Sequence, residues 1–167
     1  MKAKMFRALL PLAIVFTMVS CSSDSTESNA SESKIVTSYN YNEVELKLVT
    51  LINNHRASMG LNTLEVINHI SFKSEEHNIY MIDNKVVNHD YFQQRSNNLV
   101  QVLGAERVGE NVAYNYQNAE SAMAAWLNSP AHKANMEGDY THLGISVSVD
   151  AVTGKKYYTN MFMKKRP

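Results

Sequence analysis

Two imidazoles and a carboxylate stand out along this chain. His89 lies in Asn88-His89-Asp90, Glu110 between Gly109 and Asn111, and His132 closes the run Trp126-Leu127-Asn128-Ser129-Pro130-Ala131-His132. His and Glu are the side chains that most often bind a divalent metal or move protons. The separations of 21 and 22 residues match no metal motif by themselves. Only the fold can bring the three together.

Local context favours some of these roles. Ser129-Pro130 reads as a helix cap followed by proline at the first helical position, which puts His132 in a first turn, where the helix dipole favours its neutral, metal-competent ring. His89 falls in a loop after a helix, and Asp90 beside it can orient a neighbouring imidazole. The other histidines read as structural. His55 and His77 lie on core-facing stripes, His69 reads as a helix-start or surface residue, and His142 packs at a strand end. Trp126 reads as a core anchor. Glu75 and Glu76 form a solvated face. Ser129 lacks the Gly-x-Ser-x-Gly surroundings of a nucleophile.

The elements that must position these groups are legible in outline. Asn42 with Glu45 predicts a capping box ahead of a helix carrying Val44, Leu48, Leu51, Ile52 and His55, stopped at Met59-Gly60. Further helices are predicted over 68–83, 92–103 and 119–127, the last capped by Asn118. The pattern then changes to period two at 143–149 and, less strictly, at 157–163, joined through Gly154 as an antiparallel hairpin. A third strand is expected over 107–113. Helices first and strands last predict an α+β fold, with helices covering a small antiparallel sheet.

The N-terminus predicts export. Lys2, Lys4 and Arg7 precede an apolar run from Ala8 to Val19, too short to persist as a membrane span. Met18-Val19-Ser20-Cys21 resembles the lipobox of bacterial lipoproteins. Residues 1–20 are then a signal peptide, and Cys21 carries the lipid that anchors the protein to a bacterial membrane. Ser22 after it permits outer-membrane sorting. An ordinary signal with Cys21 as an incidental thiol is the alternative. Residues 21–40 open with a Ser-rich run, expected to be a flexible tether as far as Ser38, and 41–167 form one domain. Cys21 is the only cysteine, so no disulfide within the chain can hold the domain. Removing the three basic residues of the signal from the 16 in the chain leaves 13 against 16 acids, a net of −3. That balance excludes the basic surface of a nucleic-acid-binding protein.

The same residues carry a family resemblance. His89, Gly109-Glu110-Asn111-Val112-Ala113, Trp126 through Met136, Thr141-His142-Leu143-Gly144-Ile145 and Tyr157-Tyr158-Thr159 resemble the bacterial SCP-like branch of the CAP superfamily. That superfamily groups cysteine-rich secretory, antigen 5 and pathogenesis-related 1 proteins. The resemblance covers about residues 43–163 and implies a three-layer α-β-α sandwich with a central cleft. It implies that His89 and His132 are cleft histidines that hold a divalent metal, often zinc, and that Glu110 is the first of two cleft glutamates. Ser129 stands where the second is expected. Three functions follow as expectations. The first is a lipid-anchored, extracytoplasmic protein whose cleft binds metal or a small ligand, including lipid, sterol-like or cell-wall material. The second is a metal-assisted hydrolase of peptide, cell-wall or ester bonds with Glu110 as base. The third is a structural or interaction module with a polar core.

Overall fold

A computed structural model describes residues 34–166. The expected signal peptide, the expected lipidation site Cys21 and the first part of the expected tether lie outside them. Nine elements follow in order: α1 (Glu43–Ser58), β1 (Glu65–Val66), α2 (Asn68–Asn84), α3 (Phe92–Leu103), β2 (Ala105–Tyr114), α4 (Ala119–Asn128), α5 (Pro130–Met136), β3 (His142–Val149) and β4 (Lys156–Lys165). The sheet order is β1-β3-β4-β2. α2 and α3 pack on one face, and α1, α4 and α5 on the other. The α-β-α sandwich is therefore present.

The helix boundaries follow local chemistry. Asn42 accepts from the Glu45 amide while the Glu45 carboxylate accepts from the Asn42 amide, closing the capping box. Asn118 and Ser121 repeat the device at α4. Gly60 takes φ 73°, a left-handed stop open to glycine at little cost. α5 starts at Pro130 as its proline predicts, but Ser129 makes no side-chain capping bond. Proline supplies the fixed φ there without needing a hydroxyl acceptor.

The hairpin forms as an antiparallel pair of β3 and β4, and β2 lies antiparallel on the other side of β4. β4 is thus central, and Tyr157 through Met163 are all buried. Both of its faces are covered, which is why its alternation is weak in the sequence. Tyr158 and Phe162 pack towards α1 and α4, and Met161 and Met163 towards α2 and α3. One expectation needs correction: the sheet is mixed, not purely antiparallel. Glu65 and Val66 pair parallel with His142 and Leu143. Two residues are too few to show a period.

Side chains plug the outer edge of β2 and the part of β3 that the short β1 leaves unpaired. On β3, Ser71 Oγ accepts from the Ile145 amide at 3.0 Å, and Glu45 Oε1 from the Val147 amide at 2.7 Å. On β2, the Trp126 indole donates to the Val112 carbonyl and Asn135 Nδ2 to that of Glu110, each at 3.1 Å. Unpaired strand edges invite association with other chains, and these bonds block it.

Residues of the 36–41 stretch are bonded to the domain, although composition predicts a flexible tether as far as Ser38. Val36 N–H donates to His69 Nδ1 at 3.1 Å, and Asn68 Nδ2 to the Thr37 carbonyl at 2.7 Å. Tyr39 and Tyr41 reach Ser146 and Ser71. His69 is accordingly buried rather than a surface residue, its Nε2 meeting Asn98 Oδ1 at 2.8 Å. No helix among the described residues is long and apolar enough to cross a membrane.

Candidate functional site

Strand alternation sends the Glu110 side chain to the α2–α3 face and that of Asn111 towards α5. The Glu110 side chain is only 2% exposed, and its charge is met by Arg95. Arg95 Nε donates to Oε2 at 2.9 Å, and its Nη2 reaches Oε1 at 2.9 Å. This two-pronged geometry is among the stronger charge-assisted pairings. Arg95 Nη1 also donates to the Asp90 carbonyl at 2.7 Å, fastening the loop before α3.

His89 stands in that loop with its side chain 51% exposed, and its Nδ1 lies 2.8 Å from Glu110 Oε1. A carboxylate can only accept, so Nδ1 carries the proton and Nε2 is left as the free lone pair. Glu110, not Asp90, orients an imidazole. Asp90 instead accepts from Tyr80 and from Asn88, at 2.8 Å each, and shapes the loop. Next to it Tyr91 takes φ 59°, a strained conformation for a bulky residue.

His77 supports the loop from beneath. Its Nε2 donates to the Asn88 carbonyl at 2.8 Å and lies 3.9 Å from Glu110 Oε1. Its Nδ1 is buried with no partner among the described residues. Burial holds its pKa below the ordinary value, while the Glu110 charge pulls the other way. His77 is thus an interior histidine, as expected, but one that belongs to the site.

His132 comes from the opposite layer. Asn111 Nδ2 donates to its carbonyl at 3.0 Å, and Asn135 Nδ2 donates to Asn111 Oδ1 at 2.9 Å. Burial, and then the nearby His89, hold the His132 imidazole below its ordinary pKa. His89, Glu110 and His132 all line one cleft of about 370 Å³, walled also by Phe92, Gly109 and Asn135. A side chain at Gly109 would run into the Tyr140 hydroxyl and Asn135 Oδ1, so glycine lets the strand lie this close. His132 also borders an adjoining cavity of about 310 Å³, where Ser129 and Trp126 form part of the lining.

The other histidines are spent elsewhere. His55 pairs with Glu137 at 2.9 Å, and His142 Nδ1 meets Thr141 Oγ1 at 2.7 Å. Among the described residues no set of three or more His, Cys, Asp or Glu has metal-holding geometry. The cleft side chains that could donate to a divalent ion are the imidazoles of His89 and His132. Glu110 has both oxygens engaged and would act behind His89.

Arg95 escaped the reading of the sequence. Its signal was available: on α3, Phe92, Arg95, Leu99 and Leu103 follow helical spacing, and a cation in an apolar stripe demands a buried partner. Glu110, across a different element, could not be chosen from spacing.

The profile of the CAP family, described as the cysteine-rich secretory protein family, matches residues 49–162. An uncharacterized membrane protein of Bacillus subtilis, YlbC, is 46% identical over 61 residues, covering 36% of this chain and 16% of that protein. This chain therefore corresponds to a small part of that curated relative. The fold is shared with an outer surface protein of Borrelia burgdorferi (TM-score 0.67, 21% identity, 78% of this chain and 100% of that one). It is shared too with an extracellular protein containing an SCP domain from Bacillus anthracis (TM-score 0.65, 24% identity, 77% of this chain and 45% of that one).

Proposed function

This chain belongs to the CAP family, and from that premise we propose that its cleft binds a divalent cation such as zinc, or a small ligand, without turnover. His89 and His132 are the residues that would hold the cation. Bound there, it would supply a Lewis-acidic centre with open positions for a ligand. The single observation that carries this reading is the state of Glu110. Arg95 and His89 occupy its carboxylate, so it orients the His89 ring and strengthens its Nε2 as a donor, as carboxylates behind metal-binding histidines do. A base must have a lone pair free to take a proton. The three hydrogen bonds from Arg95 and His89 take up most of the accepting capacity of Glu110, which weighs against the hydrolytic role.

The domain is proposed to work outside the cytoplasm, carried on a lipid at Cys21. The sequence of residues 1–21 supports this, and the structural relatives include proteins described as outer surface and extracellular. Two imidazoles make a weak site, so cation and ligand would reinforce one another.

Metal titration of the mature chain tests the proposal. The wild type should bind one zinc ion per chain, and His89→Ala with His132→Ala should abolish it. Glu110→Gln should weaken it roughly 10- to 100-fold, the usual cost of losing a supporting carboxylate. Equal zinc uptake by the wild type and the double variant would refute the cation site.

A further inference from the structure

α2 and α3 enclose a separate groove of about 420 Å³ in which every lining residue is polar. Lys73 and Glu76 form one wall and neutralise each other at 2.7 Å. Arg95, 8% exposed, reaches the groove with its charge already met by Glu110. The rest of the lining is four carboxamides: Gln94, Asn97, Asn98 and Gln101. The groove is thus polar with no net charge, which narrows its occupant. Ions find no uncompensated partner, and what apolar surface the groove has comes from the carbon atoms of these polar residues, the mixed lining that a sugar ring presents in return.

The carboxamides have capacity to spare. Each offers two N–H donors and an acceptor oxygen. Asn98 Oδ1 is engaged by His69 and Asn97 Oδ1 by Gln93, at 2.8 Å each. The side chains of Gln94 and Gln101 have no hydrogen-bond partner among the described residues, and the amino groups of Asn97 and Asn98 donate to none of them. Two adjacent asparagines inside a helix also cost helix stability relative to alanine, because they compete for backbone hydrogen bonds. A hydroxyl both donates and accepts, so rows of carboxamides match rows of hydroxyls.

We propose that this groove binds a neutral oligosaccharide, with the amides of Gln94, Asn97, Asn98 and Gln101 meeting the hydroxyls of successive pyranose rings. A peptide would also satisfy amides, but its charged side chains would find Lys73, Glu76 and Arg95 already paired. The site shares Arg95 with the clamp behind the cleft but does not need the cation proposed there.

Side-chain amide signals in nuclear magnetic resonance spectra of the 15N-labelled mature chain provide the test. Chitohexaose and cellohexaose, added to millimolar concentration, should shift the Gln94 and Gln101 signals saturably with at least one of the two sugars. The double variant Gln94→Ala, Gln101→Ala changes exposed positions, so it should keep the wild-type melting temperature. Followed through the side-chain amide signals of Asn97 and Asn98, it should lose about tenfold in affinity, as two missing hydrogen bonds imply. The proposal is overturned if neither sugar shifts these signals or if the variant binds as tightly as the wild type. It is overturned equally if an uncharged peptide of serine and asparagine shifts them more strongly than either sugar.

Discussion

Two buried arginines on core-facing helix positions do different work here. Arg56, fully buried near the end of α1, donates to the carbonyls of Asn62, Met136 and Gly138 at 2.8, 2.8 and 2.9 Å. None of those acceptors carries a charge, and burial holds its pKa below the ordinary arginine value. It pins the turn after α1 to the segment after α5. Arg95 meets a carboxylate, and through it fixes the ring of His89. The first arrangement stores its value in connectivity alone. The second also sets which atom of a half-exposed side chain faces the cleft. An ion pair fixes charge as well as position, and that is what a binding site needs.

The largest effect should come from breaking the neutral cage. Arg56→Met leaves several carbonyls unpaired in the interior and should cost roughly 3–5 kcal/mol. Urea unfolding measures it, and a loss below about 1 kcal/mol, the worth of a single ordinary hydrogen bond, would mean that the cage is not structural.

Next comes the clamp. Arg95→Met leaves a buried carboxylate with only His89 and should destabilise by roughly 3 kcal/mol. Adding Glu110→Gln should recover part of that loss, with a coupling of about 1–3 kcal/mol in a double-mutant cycle. Additive losses would contradict the pairing. Both changes should also weaken zinc uptake, whereas Arg56→Lys, if folded, should leave it unaltered.

The smallest effect concerns pH. The folded-state pKa of His77 lies below the ordinary value of 6.5. As pH falls through that ordinary value the unfolded chain takes up the proton first, so stability present at neutral pH is lost on acidification. Each such imidazole contributes at most about 1.4 kcal/mol per pH unit. Hydrogen exchange at pH 7 and pH 5.5 should show the loop over 85–91 opening before the turn over 61–64 that Arg56 holds. The reverse order would break the contrast between the two arginines.

Much of the framework was legible because it is local. Asn42 and Glu45, Asn118, Gly60 and Pro130 act within a few residues of themselves, and α1, α4 and α5 begin or end where they indicate. The hairpin of β3 and β4 shares this property. Less was legible where one residue answers another across the chain. His55 reads as part of the core stripe, but the fully buried end of that row is Arg56, because its acceptors arrive from the end of α5 and the segment after it. His69 reads as a helix start and becomes a latch for Val36.

The sequence by itself determined the element types, the family, and the presence of His89, Glu110 and His132 as the chemically interesting set. Only the tertiary structure decided what Glu110 does. Its neighbours come from α3 and from the loop before it, and a carboxylate takes its role from the donors around it. With Arg95 across both oxygens and His89 on one, it becomes a fixed charge that aims an imidazole.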